Sequence, residues 1–546
     1  MKPITLLVII VILCTQSCTG IEKESGNRIS KKDTLPSSKL QAADASIAGN
    51  FSAQTNLKFD SNYSASFLEK YPLFYPYVSD LRKFYENRNF AYAWHDEKGL
   101  IEQSGDLYNR VINISDEGLP EKILYVEDFK KIMEASDSSL RSKEQEAEQE
   151  LMLSAQYFNY ARNVWAGIPE NVSSKLEWFV PRKKIDYNHF LDSLLTAMKS
   201  GQPIKEPVHR QYNLLKEHLK RFREIEKREQ WEPIISAKKK YQKGDSGTAI
   251  VQIRKKLFIL NDLSGDTSSI AFDDNLENAV KSFQQRYGLK EDGIVGPSIL
   301  REMNTPIQKR IEQLIVNMER ARWVPAKPVS DYLLVNIPQF KLSVFENDTI
   351  AWDTKVVVGK EVHKTVIFSG DLKYVVFSPY WNVPPGIMKN EILPAIKKDP
   401  GYLKKHNMEW NGNQVRQKPG ASNSLGLVKF LFPNSYNIYL HDSPSKPLFN
   451  EEKRAFSHGC IRVSEPRRLA LYLLRNDDRW TPQKVDAAMA AGKEQYVTLK
   501  ETVPVNIVYF TAWVDEKGRL NFRDDVYKRD ARLMETIFQK SNKSAQ

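Results

Sequence analysis

The feature that most constrains this 546-residue sequence is a lone cysteine in the segment 456–463, which reads Phe-Ser-His-Gly-Cys-Ile-Arg-Val. Cys460 is the only cysteine beyond residue 18, and two of the eight histidines, His441 and His458, lie close to it. An ordinary thiol is only about 3% thiolate at neutral pH, and an imidazole that lowers its pKa to near 7 raises that fraction more than tenfold. The segment therefore indicates a cysteine nucleophile.

A short strand places one of these histidines. Ile438 and Leu440 alternate with Tyr439 and His441, so the first two are expected to face a core and the last two to project to the other side of a sheet. The proline-containing loop that follows is long enough to bring the strand-end His441 against Cys460.

Cys460 also has two non-nucleophilic interpretations, as a buried apolar residue and as a zinc ligand. A single buried cysteine is most often a small hydrophobic residue. A zinc site is conceivable because cysteine and histidine are both good ligands, but a structural site needs four ligands and this part of the chain has no second cysteine. The nucleophile interpretation accounts for more of the segment than either.

The whole motif is more specific than a cysteine–histidine pair. His441, fifteen intervening residues and then the run 457–462 (Ser-His-Gly-Cys-Ile-Arg) resemble the signature of the L,D-transpeptidase (YkuD-type) catalytic domain. The resemblance implies a peptidoglycan tetrapeptide stem as donor, a thioester on the cysteine, and an amine of a second stem as acceptor. It implies no metal or organic cofactor, and acylation by a β-lactam of the carbapenem class is expected.

The resemblance also implies catalytic roles for the residues of the motif. Cys460 is the nucleophile and His441 the general base and later acid. Asp442 orients that imidazole through its backbone carbonyl, and its side chain is free to point to water instead. His458 is a rival base, because it lies two residues before the nucleophile, and is assigned to substrate orientation.

The remaining site residues are expected to hold the loop and the substrate. Gly459, with the amide of the nucleophile itself, supplies N–H donors for the oxyanion. Ser457 fixes the loop by hydrogen bonding. Arg462 holds a carboxylate of the stem or, alternatively, forms a structural ion pair. Tyr439 and Trp381 are expected to line the substrate site.

The N-terminus reads as an export signal. Met1-Lys2 precedes ten largely apolar residues, 4–13, which are too few to span a bilayer. Cys18 resembles the lipidated cysteine of a bacterial lipoprotein, with plain secretion as the alternative because Thr15 and Gln16 depart from the usual pattern. A periplasmic, membrane-anchored protein of a Gram-negative bacterium is expected, with the membrane contacted only through the lipid.

The net charge of +12 suggests nucleic acid as a partner, but the export signal argues against it. The basic surface would instead face an anionic envelope, or would simply be solvated. An unpaired Cys460 in an oxidising compartment is a liability unless it has a function.

The fold is expected to be multidomain α+β. A signal (1–18) and a polar tether (19–65) precede a helical scaffold domain (66–235), a small three-helix unit resembling a peptidoglycan-binding domain (240–305) and a linker helix (306–328). The mostly β catalytic domain (329–530) carries a capping insertion (384–437), either a lid or a passive decoration, and ends in a tail (531–546). The three-helix unit binds cell-wall glycan or only positions its neighbour.

Other functions remain open at this point. The domain could hydrolyse stem peptides as an L,D-carboxypeptidase or as a cysteine endopeptidase of the wall. Such endopeptidases usually place the histidine after the nucleophile, whereas both candidates here precede it. A non-catalytic wall-binding lipoprotein would suit residues 19–305 but leaves Cys460 without a role.

Overall fold

The structure is a computed structural model that describes residues 57–134, 142–197, 205–325 and 330–543. Helices fill its first part and a mostly β body its second, which confirms the predicted α+β class. In these ranges no helix is both long enough and apolar enough to cross a membrane. The export signal, Cys18 and most of the predicted tether lie outside the described residues.

The first part is organised around one buried helix. Its helices are α1 Asn62–Lys70, α2 Val78–Asn87, α3 Glu102–Ile112, α4 Val126–Glu134, α5 Lys143–Ala161, α6 Glu170–Lys175, α7 Tyr187–Ala197 and α8 Arg210–Arg228, with short strands β1 His95–Asp96, β2 Gly99–Leu100 and β3 Trp178–Phe179. Ser142 and Gln145 form a capping box that starts α5. The sequence predicted one buried face on α5, but every residue from 149 to 161 is buried, because α1, α2, α3 and α4 surround the helix.

A compact three-helix unit follows, with α9 Thr248–Ile259, α10 Asp274–Tyr287 and α11 Pro297–Met303. The Asp273 side chain accepts a hydrogen bond from the Leu276 amide at 2.9 Å and caps α10. Gly288, at φ +68°, ends the same helix in the left-handed region. Pro297 occupies the first turn of α11, as its fixed φ favours.

The predicted linker helix is a core element. Helix α12, Ile307–Trp323, packs along α8 and is buried over most of its length. It carries buried charges that are paired, Arg322 with Glu319 at 2.7 Å and Arg320 with Asp530 at 2.7 Å. The first pair lies within α12, whereas the second joins the helix to the segment that contains Asp530. Because removing one partner of a buried pair leaves an uncompensated charge, the Arg320–Asp530 pair holds α12 against that neighbour.

The β body begins with four strands, β4 Tyr332–Asn336, β5 Lys341–Glu346, β6 Thr349–Gly359 and β7 Ile367–Phe377. The hairpin between β5 and β6 turns at Asn347 and Asp348, both in the left-handed region, as the sequence predicted. The scaffold strand β3 pairs in parallel with β7, Trp178 opposite Ile367 and Phe179 opposite Phe368. The helical part and the β body therefore share one sheet.

The predicted insertion is a small folded body. It contains β8 Trp381–Asn382, α13 Pro385–Ile387, a π-helical turn Met388–Ile392, α14 Leu393–Lys398, α15 Tyr402–Lys405, β9 Met408–Asn411 and β10 Gln414–Gln417. Its strands form a separate sheet in the order β8-β10-β9, over a core of its own made by Val383, Ile392, Met408 and Val415. The sequence predicts a helix from Ile387 to Ile396, and the chain is helical throughout this range, with the π turn inside the helix.

Further strands close the main sheet. They are β11 Val428–Leu431, β12 Leu440–His441, β13 Ala455–Ser457, β14 Ile461–Val463 and β15 Gln495–Val508. The order β11-β12-β14-β6-β5-β4-β15-β7 returns to β11, so these eight strands form a closed ring around an apolar interior, while β13 pairs with β6 from outside the ring. Closure removes exposed sheet edges.

The C-terminal region differs from one expectation. Helices α16 Pro466–Leu473 and α17 Pro482–Ala490 follow the motif, and β16 Ala512–Val514, β17 Leu520–Phe522 and α18 Asp530–Lys543 end the described chain. The apolar run 503–513 and the turn signal at 516–518 predict a final hairpin over 503–522, but the run from 503 belongs to β15 and pairs with β4 and β7. Only β16 and β17 form the hairpin, because alternation in a strand cannot show which neighbour it pairs with.

Candidate active site

Two adjacent parallel strands carry the motif. Strand β12 pairs with β14, Leu440 opposite Ile461 and His441 opposite Arg462. Leu440 and Ile461 are fully buried in the core. Because side chains alternate along a strand, His441 and Cys460 project on the opposite face, two residues out of register. Their Cα atoms are then about 8 Å apart, close enough for the two side chains to approach each other.

The loop before the nucleophile is held by its own serine. The Ser457 hydroxyl donates to the Cys460 carbonyl at 2.6 Å and accepts from the Gly459 amide at 3.1 Å. Gly459 has φ +117°, a conformation that strains other residues. The predicted loop-fixing contact of Ser457 is therefore present, but Gly459 was expected to offer its amide to an oxyanion, and that amide is already engaged. No hydrogen bond to the Cys460 amide occurs among the residues described.

A second layer of contacts, which no sequence motif indicates, anchors this loop. The buried Thr365 hydroxyl donates to the Gly459 carbonyl at 2.7 Å and accepts from the Gly359 amide at 2.9 Å. The Tyr527 hydroxyl donates to the Gly359 carbonyl at 2.6 Å and accepts from the Thr365 amide at 3.2 Å. The turn that presents Cys460 is thus fixed by residues far away in sequence.

Thr365→Val is expected to weaken this anchor. The substitution keeps the shape but leaves the Gly459 carbonyl and the Gly359 amide without their buried partner, which costs about 1–3 kcal/mol. We expect a melting temperature about 2–4 °C lower and slower thiol acylation. Thr498→Val, at an exposed position of β15, is the matched control and should change neither. A Thr365→Val protein with unchanged melting and acylation would contradict the proposed anchor.

The Cys460 thiol is partly exposed and lies among backbone groups. It donates to the Asn437 carbonyl at 3.5 Å. Burial raises the pKa of the thiol, and hydrogen bonds from the Tyr439 backbone and hydroxyl, with the positive charge of Arg462, oppose part of that rise. The contact that the sequence predicted with His441 is not among the hydrogen bonds of the described residues. Tyr439 is the immediate neighbour, and its ring lies 5.8 Å from the His441 ring.

The His441 imidazole is buried and oriented by the next residue. Its Nδ1 lies 2.5 Å from the Asp442 carbonyl oxygen, as predicted for the backbone route. Because a carbonyl only accepts, Nδ1 carries the hydrogen and Nε2 keeps its lone pair. Burial lowers the pKa of His441 to about 3, with the charge of Arg462 acting in the same direction and the Asp442 and Leu425 carbonyls opposing it. The ring is therefore neutral at physiological pH.

The Asp442 carboxylate does not turn to water, which was one of the two expectations. It accepts from the Leu427 amide at 2.9 Å, the Ser443 amide at 2.7 Å and the Lys446 ammonium at 2.5 Å. A Cβ at Gly426, where φ is +62°, would lie 2.3 Å from this carboxylate. The Asp442 carboxylate thus stabilises the turn before β11, while the Asp442 carbonyl orients the His441 imidazole.

The Arg462 guanidinium has no acidic partner among the described residues. Its Nε is buried and makes no hydrogen bond, and no carboxylate of the described residues lies within ion-pair distance of its guanidinium. Other largely buried arginines have an acidic partner, for example Arg286 with Asp262 and Arg310 with Glu302. The alternative of a structural ion pair is therefore not found at Arg462, and the guanidinium is available to an anion.

The two remaining predicted residues involve the insertion. His458 is partly exposed, with Nε2 3.0 Å from Glu391 Oε1 in the π turn and its ring 5.0 Å from that of His363. Trp381 lies in β8, opposite Gln417, against the small core of the insertion. No contact of the described residues joins Trp381 to Cys460. Sequence reasoning missed Glu391, because nothing in the sequence pairs it with the motif.

Among the described residues, the arrangement combines a thiol, a neutral imidazole held by the Asp442 carbonyl and a guanidinium without an acidic partner on one face of a sheet. Such a site can perform acyl transfer through a thioester. Across the described ranges, no three His, Cys, Asp or Glu side chains are placed to hold a metal ion together.

Comparison with known families agrees with this geometry. The model of the L,D-transpeptidase catalytic domain matches residues 330–486, which contain β4 to β14 and the whole motif. The chain carries an L,D-transpeptidase catalytic domain. The model of the scaffold domain matches residues 79–219, and that of the "Putative peptidoglycan binding domain" matches 246–303. The resemblance that the motif predicted is thus confirmed for residues 330–486.

A curated relative supports the same family. A protein of Haemophilus influenzae named "Putative L,D-transpeptidase" is 32% identical over 243 residues, which is 41% of this chain and 49% of that protein. The chain thus spans about half the length of this relative.

Solved structures were also compared. The L,D-transpeptidase of Xylanimonas cellulosilytica is 14% identical and covers 50% of this chain and 100% of its own, with a TM-score of 0.18. The L,D-transpeptidase of Mycobacterium smegmatis is 14% identical and covers 33% of this chain and 58% of its own, with a TM-score of 0.19.

Proposed function

We propose that this protein is a peptidoglycan L,D-transpeptidase that cross-links stem peptides through a thioester on Cys460 during cell-wall biogenesis. One observation carries the proposal: a partly exposed thiol and an oriented, neutral imidazole share one face of adjacent parallel strands inside the transpeptidase domain. The runner-up is hydrolysis of the same stems, in which water replaces the acceptor amine.

In the acylation half of the reaction, His441 Nε2 takes the thiol proton as the sulfur attacks the donor carbonyl carbon. The C–N bond to the terminal residue of the donor then breaks, and His441 returns its proton to the leaving amine. The Asp442 carbonyl keeps Nδ1–H in place throughout. Protonation of His441 is unfavourable beside the positive charge of Arg462. The proton is therefore expected to move from the Cys460 thiol to His441 only when the donor substrate is bound.

The oxyanion requires donors aimed at the attacked carbonyl. We assign this role to the unengaged Cys460 amide, with the Tyr439 hydroxyl beside the thiol as a second donor. Gly459 contributes through its positive φ, which turns the chain, rather than through its amide. One such donor is typically worth about 10²–10³ in rate.

Arg462 is assigned to a carboxylate of the stem peptide. Arg462→Gln is expected to raise KM for the tetrapeptide donor about 10–100-fold, since a charge-assisted hydrogen bond contributes about 1.5–3 kcal/mol. It should also raise the pKa of His441, because the neighbouring positive charge disappears. Steady-state kinetics and a proton NMR titration of the histidines measure the two effects.

A double comparison separates this role from simple damage to the fold. A donor whose carboxylate is amidated should bind the native protein as weakly as the Arg462→Gln variant binds the native donor, with no further loss when both changes are combined. Arg462→Lys should keep part of the affinity, because it keeps the charge but not the planar fork. Independent, additive losses would contradict the assignment.

Incubation of the purified protein with disaccharide-tetrapeptide, followed by mass spectrometry, tests the proposed function as a whole. A cross-linked dimer supports transfer. Trimmed stems alone support the hydrolytic runner-up, and an unchanged substrate would leave only a wall-binding role.

The surroundings of the domain complete the proposal. We assign residues 66–235 to a scaffold, 240–305 to binding of cell-wall glycan, and 384–437 to a lid over the site, with the protein exported to the cell envelope. A lipid on Cys18 is part of the proposal, and the intact mass of protein extracted from membranes tests it.

A further inference from the structure

One contact ties the insertion to the catalytic motif. The π turn Met388–Ile392 carries Glu391, whose Oε1 lies 3.0 Å from Nε2 of His458. The side chains of Glu391 and His458 are 52% and 35% exposed, so both remain within reach of a ligand. A π turn inside a helix is often found at a functional site. The contact therefore places a carboxylate of the insertion beside the catalytic motif.

Stability alone explains little of it. An exposed ion pair contributes about 0–1 kcal/mol, and the insertion has an apolar core of its own. His458 fills no core, since it is exposed on the loop that Ser457 and Thr365 fix. Only Gly459 separates it from the nucleophile, so its Cα lies no more than about 7 Å from that of Cys460.

The pair has the geometry of an oriented base. A carboxylate only accepts, so His458 Nε2 carries the hydrogen toward Glu391 and Nδ1 keeps the lone pair. The His363 ring, 5.0 Å away, flanks the same imidazole. Glu391 Oε2 has no partner among the described residues and can accept from a cationic amine. A base held by a third group is the arrangement that activates nucleophiles in many enzymes.

The second half of the proposed reaction needs such a group. The acceptor amine is an ammonium ion in water, and it must lose a proton before its nitrogen can attack the thioester. His441 is buried, its Nδ1 is bound to the Asp442 carbonyl, and the charge of Arg462 opposes its protonation, so it is poorly placed to take a proton from a second, cationic substrate. The Glu391 carboxylate, on the side of the insertion, offers the charge that an ammonium ion prefers.

We propose that His458 and Glu391 form the acceptor site, in which His458 Nδ1 takes a proton from the incoming ammonium while Glu391 orients that imidazole through Nε2 and supplies the negative charge. This inference rests on the proposed function and assigns the acceptor half of that reaction. The freed nitrogen attacks the thioester carbonyl carbon, a C–N bond forms and the C–S bond breaks. The second amine proton leaves as the amide forms and restores the Cys460 thiol, and His458 releases its own proton to solvent.

The two histidines then divide the chemistry. His441 serves formation of the thioester, and His458 with Glu391 serves its transfer to an amine. Because water needs no anionic binding group, the pair would favour transfer over hydrolysis. Glu391 thereby becomes a residue that determines which nucleophile is used.

The test uses Glu391→Gln in the full chain, with Glu409→Gln as the matched control. Glu409 lies in β9 of the same insertion and pairs with Arg416 and Lys418. The ratio of cross-linked to hydrolysed stem, measured by mass spectrometry with disaccharide-tetrapeptide, should fall about tenfold or more in Glu391→Gln. Acylation by a carbapenem should slow less than threefold, as expected for a group outside the first half-reaction. The control should change neither quantity.

A second acceptor distinguishes proton removal from general damage. Hydroxylamine is largely uncharged at neutral pH and needs neither an anionic binding group nor a base to attack a thioester. With hydroxylamine as acceptor, Glu391→Gln should transfer at nearly the native rate. His458→Gln should show the same pattern, a large loss with the peptide amine and a small one with hydroxylamine.

Two results would overturn the inference. If Glu391→Gln slows acylation and transfer equally, the contact is only a latch that controls access to the thiol. If the ratio of transfer to hydrolysis stays at the native value, Glu391 has no part in acceptor use. Failure of the native protein to form any acyl-enzyme would instead refute the proposed function, and the two failures are therefore distinguishable.

Discussion

Cys460→Ala is expected to abolish both acylation and cross-linking, with turnover reduced by about 10⁴-fold or more. The sulfur is the only nucleophile assigned to the site, and no other cysteine occurs beyond residue 18. After incubation with a carbapenem, the native protein should gain the mass of one inhibitor and the variant none. Intact mass spectrometry measures this directly.

Two controls accompany the alanine variant. Its melting temperature should stay close to the native value, because the thiol is partly exposed and its removal leaves no sealed cavity. Cys18→Ala, far from the motif in sequence, should take up the carbapenem as the native protein does. Equal mass gains in Cys460→Ala and the native protein would refute the nucleophile assignment.

His441→Gln is expected to slow acylation about 10²–10⁴-fold, the usual contribution of a positioned general base. Glutamine retains a polar side chain near the Asp442 carbonyl but cannot take a proton. Burial raises the pKa of the Cys460 thiol, so the variant depends on the small thiolate fraction, and its residual rate should rise steadily with pH. Rates of carbapenem acylation across neutral and alkaline pH measure both effects.

His406→Gln provides the matched control for this variant. His406 lies in the insertion with its ring 4.2 Å from that of Tyr402, and no hydrogen bond or ring contact among the described residues joins its side chain to the motif. Its substitution should leave the pH profile unchanged. A His441→Gln protein that acylates at the native rate at neutral pH would show that another group removes the thiol proton.

Local sequence predicted the parts of the site that local geometry determines. Alternation placed Leu440 in the core and His441 on the other face, and the fold has both. The Asp442 carbonyl and the Ser457 hydroxyl also act where the sequence placed them, because each bonds within three residues of itself. Hydrogen bonds between residues so close in sequence depend on only a few backbone torsion angles, so local sequence can predict them.

Long-range pairing could not be predicted. Thr365 and Tyr527 hold the loop of Cys460 from positions distant in the chain. The sequence around a buried hydroxyl does not indicate which residue it will hydrogen-bond. Glu391 reaches His458 only because the insertion folds on its own core. Burial around α12 was missed for a related reason, since its charged residues read as solvent-facing until their partners are known.

The pairing of strand β3, from the helical region, with β7 has a practical consequence. Trp178 is buried against Trp323 and Phe510, so the seam is also an aromatic core. A fragment cut to begin at residue 330 would lose β3 and Trp323, leaving bare backbone at the start of β7 and an apolar hollow beneath it. Such a fragment would tend to self-associate, and drugs or inhibitors screened on it would meet a surface that the intact chain never shows.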